Sequence, residues 1–156
     1  MQHRVGVFDV WVYRKDADAV RYLLMRTSQE KADKWFNGGR FWQIPSDWVE
    51  GEESMVNAMR RCLGGFGIEA SSLWAVDHAY TIYNRRFEEI HLILVFAAEA
   101  GAGTDIRLTW QHSEYRWCTA AECEQLIGFR GLLEGLEWVR RFVTETSNQL
   151  PELKLA

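Results

Sequence analysis

The segment from Ile44 to Ile68, IPSDWVEGEESMVNAMRRCLGGFGI, carries the residue types and spacings that bear most directly on chemistry. Glu50, Glu52 and Glu53 lead into a stretch with apolar residues at Met55, Val56, Met59, Cys62 and Leu63. That spacing predicts a helix over Glu53–Leu63, stopped by Gly64-Gly65-Phe66-Gly67. Positions 61, 64 and 65 stand at i, i+3 and i+4 and share one helix face. Such a face, were it to carry carboxylates, would suit hard cations such as Mg²⁺ or Mn²⁺, which prefer oxygen ligands. The residues present are Arg61, Gly64 and Gly65. Arginine is permanently cationic and glycine has no side-chain oxygen, so this face offers a metal nothing.

The segment resembles the Nudix box, G-x5-E-x7-R-E-U-x-E-E-x-G-U, where U is aliphatic. Counting back from Gly67 and Ile68, the box arginine falls on Arg60 and its first glutamate on Glu52. Ser46 stands where the first glycine belongs, and Arg61, Gly64 and Gly65 stand where the three clustered glutamates belong. Pro45 to Glu53 is similar to the family lead-in P-G-G-x-V-E-x-G-E, one residue short and with Ser46-Asp47 for the paired glycines. The resemblance implies an α/β fold, a Nudix-type α/β/α sandwich around a mixed β-sheet. It also implies a Glu52–Arg60 contact fastening loop to helix. A chance E-x7-R-x6-G-I pattern on an unrelated loop-helix-loop is the competing account of the box alone.

Beyond the box the chain looks like the subgroup of dihydroneopterin triphosphate and deoxynucleoside triphosphate pyrophosphohydrolases. Phe41-Trp42-Gln43 matches the passage that precedes the box there. Gln111-His112 followed by Tyr115-Arg116-Trp117 matches a Glu-His before a Tyr-x-Trp strand. The glutamate of that pair is a further metal ligand in such enzymes, and here it is Gln111. The resemblance therefore implies metal positions vacated at Arg61, Gly64, Gly65 and Gln111. Among the remaining acids, Glu50, Glu52, Glu53, Glu88, Glu89 and Glu114, the loop pair Glu50 and Glu52 is best placed to rebuild a site.

Several residues have both a binding and a plain structural reading. Arg61 could meet a phosphate directly or stand solvated on the helix. Arg60 is the arginine to which the resemblance gives the scaffold role, and it is also a candidate ligand-binding residue. Arg85 and Arg86, at a strand-strand turn, could form an anion site with Arg40, or be a solvated hairpin tip. Trp42 could stack on a base or fill core, and His112 could contact a ligand or hold a structural hydrogen bond. Glu52 is the candidate catalytic residue if activity survives.

The elements expected around these residues are strands at Val5–Tyr13 and Val20–Arg26 joined through Asp16-Ala17-Asp18. A flexible loop is expected over Ser28–Arg40 and a short extended passage over Phe41–Val49. Strands follow at Leu73–Tyr83, Glu89–Ala98 and Glu114–Cys118. Thr119 and Glu122 read as a capping box for a short helix, and a last helix runs Arg130–Thr146 with a solvated Glu137–Arg141 pair. The chain, 1–156, reads as one domain with a loose tail over 147–156.

The chain has 156 residues, a net charge of −4 and three cysteines without a CxxC pair. That charge argues against nucleic-acid polymers as partners, though not against a nucleotide. No apolar run is long enough to span a bilayer, and the cysteines suit a reducing compartment, so a cytoplasmic protein without membrane partners is expected. A homodimer is the assembly the resemblance implies. Three functions stay open: a nucleotide- or diphosphate-binding domain without hydrolysis, an active Mg²⁺- or Mn²⁺-dependent pyrophosphohydrolase with rebuilt ligands, and a protein-interaction module.

Overall fold

A computed structural model describes residues 1–156. The order of elements is β1 (Gln2–Lys15), β2 (Val20–Thr27), α1 (Gln29–Trp35), β3 (Trp42–Gln43), β4 (Ser46–Trp48), α2 (Met55–Gly64), β5 (Ala70–Asn84), β6 (Glu89–Ala100), β7 (His112–Cys118), α3 (Ala120–Leu126) and α4 (Arg130–Val139). The sheet runs β3-β2-β1-β6-β5, with β4 also pairing β1 and β7 pairing β2. β1 and β6 are parallel and the other pairs are antiparallel, so the sheet is mixed as expected.

Side-chain alternation divides the strands between two cores. Phe8, Val10 and Val12 of β1 join Leu23 and Met25 of β2 beneath α2, which contributes Ala58, Met59, Cys62 and Leu63. Trp11 and Tyr13 point the other way with Tyr22 and Leu24, and are covered by Leu136, Val139 and Val143. The result is a sheet between two helical layers. Close packing on the second face depends on small residues: a Cβ on Gly131 would collide with the Tyr80 ring, and one on Gly135 would lie 3.1 Å from the Trp11 indole nitrogen.

Several expectations fail. The segment expected as a flexible loop over Ser28–Arg40 contains α1, because Ser28 caps it by accepting from the Lys31 amide at 3.0 Å. The tail expected to be loose is tied down: the Leu155 amide donates to the Leu73 carbonyl at 2.8 Å, and Lys154 bridges to Trp74. The Thr119–Glu122 capping box forms as read. The last helix changes to a wider π turn over Arg140–Thr144, and Arg141 lies over Trp138 instead of pairing with Glu137. No helix is long and apolar enough to cross a membrane.

Candidate functional site

α2 begins at the Ser54 cap, whose hydroxyl accepts from the Asn57 amide, and buries the stripe 58, 59, 62 and 63. That phase turns position 61 toward the loop that enters the helix. The Arg61 guanidinium there donates to both Glu53 carboxylate oxygens through Nε at 3.2 Å and to Oε1 through a terminal nitrogen at 2.6 Å. It also donates to Asp47 at 3.0 Å and to the Trp48 carbonyl at 2.8 Å, with Glu50 at 3.7 Å. The guanidinium holds the Glu53 carboxyl below its usual pKa, and the surrounding acids hold Arg61 firmly charged.

The expected Glu52–Arg60 contact is absent. Both residues are exposed, and neither has a side-chain partner. Glu53 and Arg61 have the same separation of eight, and the helix phase selects them. Arg61 is exposed on the helix, with its guanidinium paired to Asp47 and Glu53. Measured from this pair, the helix end is one residue shorter than the box. The positions assigned to clustered acids move to Cys62, Gly65 and Phe66, none of which carries a side-chain oxygen. The absence of carboxylates from this face therefore holds in either register.

Past the helix, Gly67 adopts φ +74°, where a Cβ would meet the Arg107 side chain and the Asp105 carbonyl. The Arg107 guanidinium donates to the Gly64 carbonyl at 3.3 Å, placing a second cation at the helix end. The other acids named above are engaged elsewhere: Glu88 accepts from Tyr83, Glu89 from Arg4 with His91 at 3.0 Å, and Glu114 from Arg26. Asp47, Glu50 and Glu53 meet around the Arg61 guanidinium, and no group of three His, Cys, Asp or Glu side chains is arranged to hold a metal ion.

Ser46, in the place of a box glycine, donates to the buried Asp9 carboxyl at 2.5 Å, and the Tyr80 hydroxyl donates to its other oxygen. Burial raises the Asp9 pKa, against the pull of the two hydrogen bonds. Asp9 lies outside every motif, its one signal in the sequence being that it is the lone acid inside the apolar run Val5–Tyr13.

The second half of the site gathers at α1, the β5–β6 turn and the start of β7. His112 is buried, with Nε2 3.0 Å from Gln43 Oε1, an atom that also accepts from Lys31 Nζ at 3.0 Å. Burial, aided by the Lys31 charge, lowers the His112 pKa to about 4, so its ring is neutral at pH 7. The lysine ammonium needs an acceptor, which orients the Gln43 carbonyl toward both donors. His112 takes the structural reading. Trp42 is half-buried, packs on the second core and lies under Arg116 at 5.8 Å. Arg40 donates to the Thr27 carbonyl and to Ser113. Arg86, at the β5–β6 turn, lies over Trp35, 3.6 Å from the ring centroid. Gln111 uses its backbone carbonyl to accept from the Ser28 amide at 2.9 Å.

No protein-family profile matches the chain. It is similar to the mouse (Mus musculus) bis(5'-nucleosyl)-tetraphosphatase [asymmetrical], 26% identical over 136 residues, 85% of this chain and 87% of the relative. Among solved structures it resembles a Nudix hydrolase of Listeria monocytogenes, with TM-score 0.75 and 15% identity over 92% of this chain and 97% of that one. It also resembles the Escherichia coli dihydroneopterin triphosphate pyrophosphohydrolase, with TM-score 0.65 and 17% identity over 91% and 96%. At these identities the structural likeness establishes the fold.

Proposed function

We propose, from the premise that the chain has the Nudix fold, that it binds a nucleoside polyphosphate or a related diphosphate and does not hydrolyse it by a metal-dependent route. The observation that carries this reading is Arg61. Its guanidinium already neutralises Asp47 and Glu53, with Glu50 beside them, so a divalent cation would meet a fixed positive charge among acids already paired. The arginine–carboxylate cluster performs the scaffold task of joining loop to helix and supplies no activated water.

Similarity to a bis(5'-nucleosyl)-tetraphosphatase supports a ligand of the nucleoside polyphosphate class. It also favours the rival reading, an active pyrophosphohydrolase using Glu50 and Glu52 as ligands. Glu52 has no side-chain partner, but Glu50 faces Arg61, which opposes a metal there. Three free, buried cysteines support a cytoplasmic setting. The test is a panel of nucleoside di-, tri- and tetraphosphates assayed for hydrolysis and thermal stabilisation, with and without Mg²⁺ or Mn²⁺. The reading expects metal-independent stabilisation and no turnover approaching roughly 1 per second. Turnover at that rate, abolished in Glu52→Gln, would establish the rival.

A further inference from the structure

Cations without acids gather at the other end of the site. Lys31 is 8% exposed, and its ammonium has one polar partner, Gln43 Oε1 at 3.0 Å, besides the Phe36 ring at 5.8 Å. It makes no ion pair, although a buried charge is ordinarily paired. Arg86 reaches in from the β5–β6 turn, over Trp35 at 3.6 Å and Phe87 at 4.7 Å, and likewise makes no ion pair. The two repel: burial first, then the Arg86 charge, lowers the Lys31 pKa to about 8. Lys34, one turn along α1, hangs over Trp35 at 5.6 Å and Trp110 at 5.3 Å and adds a third unpaired cation.

Such a cluster is unfavourable until an anion enters. Positioned by α1 and the β5–β6 turn, the cations carry an electrostatic cost that a bound anion would relieve. An aromatic wall adjoins it. Trp35 and Trp110 meet edge to face at 5.5 Å, and Trp110 remains 43% exposed. A surface tryptophan beside unpaired cations can stack on a base while the cations hold phosphate oxygens.

We infer that Lys31 and Arg86 form a phosphate subsite for a nucleoside polyphosphate whose base stacks on Trp110. This rests on the nucleotide-binding reading and gives that ligand a place distinct from the Arg61 cluster. Lys31 supplies the buried point charge and Arg86 the planar fork, while Trp35 keeps the Arg86 guanidinium in place. Gln43 fixes the Lys31 ammonium and is in turn fixed by His112.

The test is a metal-free titration at low salt, followed by calorimetry, with ATP, tripolyphosphate and adenosine as probes. Wild type, Lys31→Met, Arg86→Ala and Trp110→Ala are compared. Lys31→Met and Arg86→Ala are each expected to weaken ATP and tripolyphosphate binding about tenfold or more, the scale of a lost charge-assisted hydrogen bond. Trp110→Ala should weaken ATP binding and leave tripolyphosphate unchanged. Lys31→Met should also raise the melting temperature of the ligand-free protein, a readout independent of binding. ATP bound with the same affinity by wild type, Lys31→Met and Arg86→Ala would overturn the subsite and leave the nucleotide reading standing. Wild type that binds tripolyphosphate but not ATP would overturn the nucleotide reading, and binding of neither would overturn both.

Discussion

The Arg61 guanidinium and the Glu53 carboxylate form a fork-to-fork pair across eight positions, with the closest contact at 2.6 Å. Glu53 closes the arrangement by accepting from the Glu50 amide at 2.8 Å, so loop and helix share one carboxylate. Replacing Arg61 with Met leaves Asp47, Glu50 and Glu53 facing each other without a cation. Arg61→Met should lower the melting temperature by about 3–6 °C. Glu53→Gln should cost less, and the double variant should cost less than the sum, because the two residues act as one unit. Arg60 makes no side-chain hydrogen bond or ion pair, so Arg60→Met should leave the melting temperature within about 1 °C. Scanning calorimetry of the four proteins decides it.

The box motif was legible and its register was not. Glu52–Arg60 and Glu53–Arg61 have identical spacing, and the sequence offers no way to choose without the helix phase. That phase is set by Ser54 at the cap and by burial of Cys62 and Leu63, which the residue pattern suggested only to within a residue. Strand order was readable because β1, β2, β5 and β6 carry β-branched and aromatic runs. α1 was hidden by its polarity: QEKADKW has few apolar residues and follows from the Ser28 cap and packing of Ala32. Lys31 and Arg86 are far apart along the chain, so their meeting could be seen only once the fold was known.

Acid should expose the buried histidine. The His112 pKa is about 4 in the folded state against 6.5 for an ordinary histidine. Between those values the unfolded chain binds a proton that the folded one refuses, so this residue subtracts stability as pH falls from 6.5 to 4. Above pH 6.5 it has no effect. His112→Gln, which preserves a donor to Gln43, should flatten that part of the stability–pH curve relative to wild type. Denaturant midpoints at pH 7, 5.5 and 4.5 provide the comparison, and parallel curves would refute the assignment.

Asp9 has the opposite sign. Its folded pKa is raised above 3.8 by burial, so the folded state keeps a proton that the unfolded state loses, and stability declines as pH rises through that interval. Asp9→Asn removes the ionisation and keeps one acceptor oxygen, while its amide nitrogen donates to whichever of the Ser46 and Tyr80 hydroxyls turns to accept. It should remove this decline and melt higher than wild type at pH 7. Tyr80→Phe, which withdraws one of the two donors and leaves the carboxyl buried, should melt lower.

The C-terminal residues should behave as part of the sheet. Deleting residues 150–156 removes the Leu155–Leu73 hydrogen bond and uncovers Trp74, so the truncated chain should melt lower and show red-shifted tryptophan emission. An unchanged spectrum and melting temperature would mean that the tail contributes nothing.

The most direct test of the central claim, that Arg61 takes a cation's place among the acids, is titration of wild-type protein with Mn²⁺ at pH 7, read by isothermal calorimetry. The account predicts no saturable Mn²⁺ binding to the nucleotide-free protein below millimolar concentration, and no phosphate released from a nucleoside tetraphosphate incubated separately with protein and Mn²⁺. A stoichiometric Mn²⁺ site lost in Glu52→Gln, accompanied by cleavage of the tetraphosphate, would contradict it.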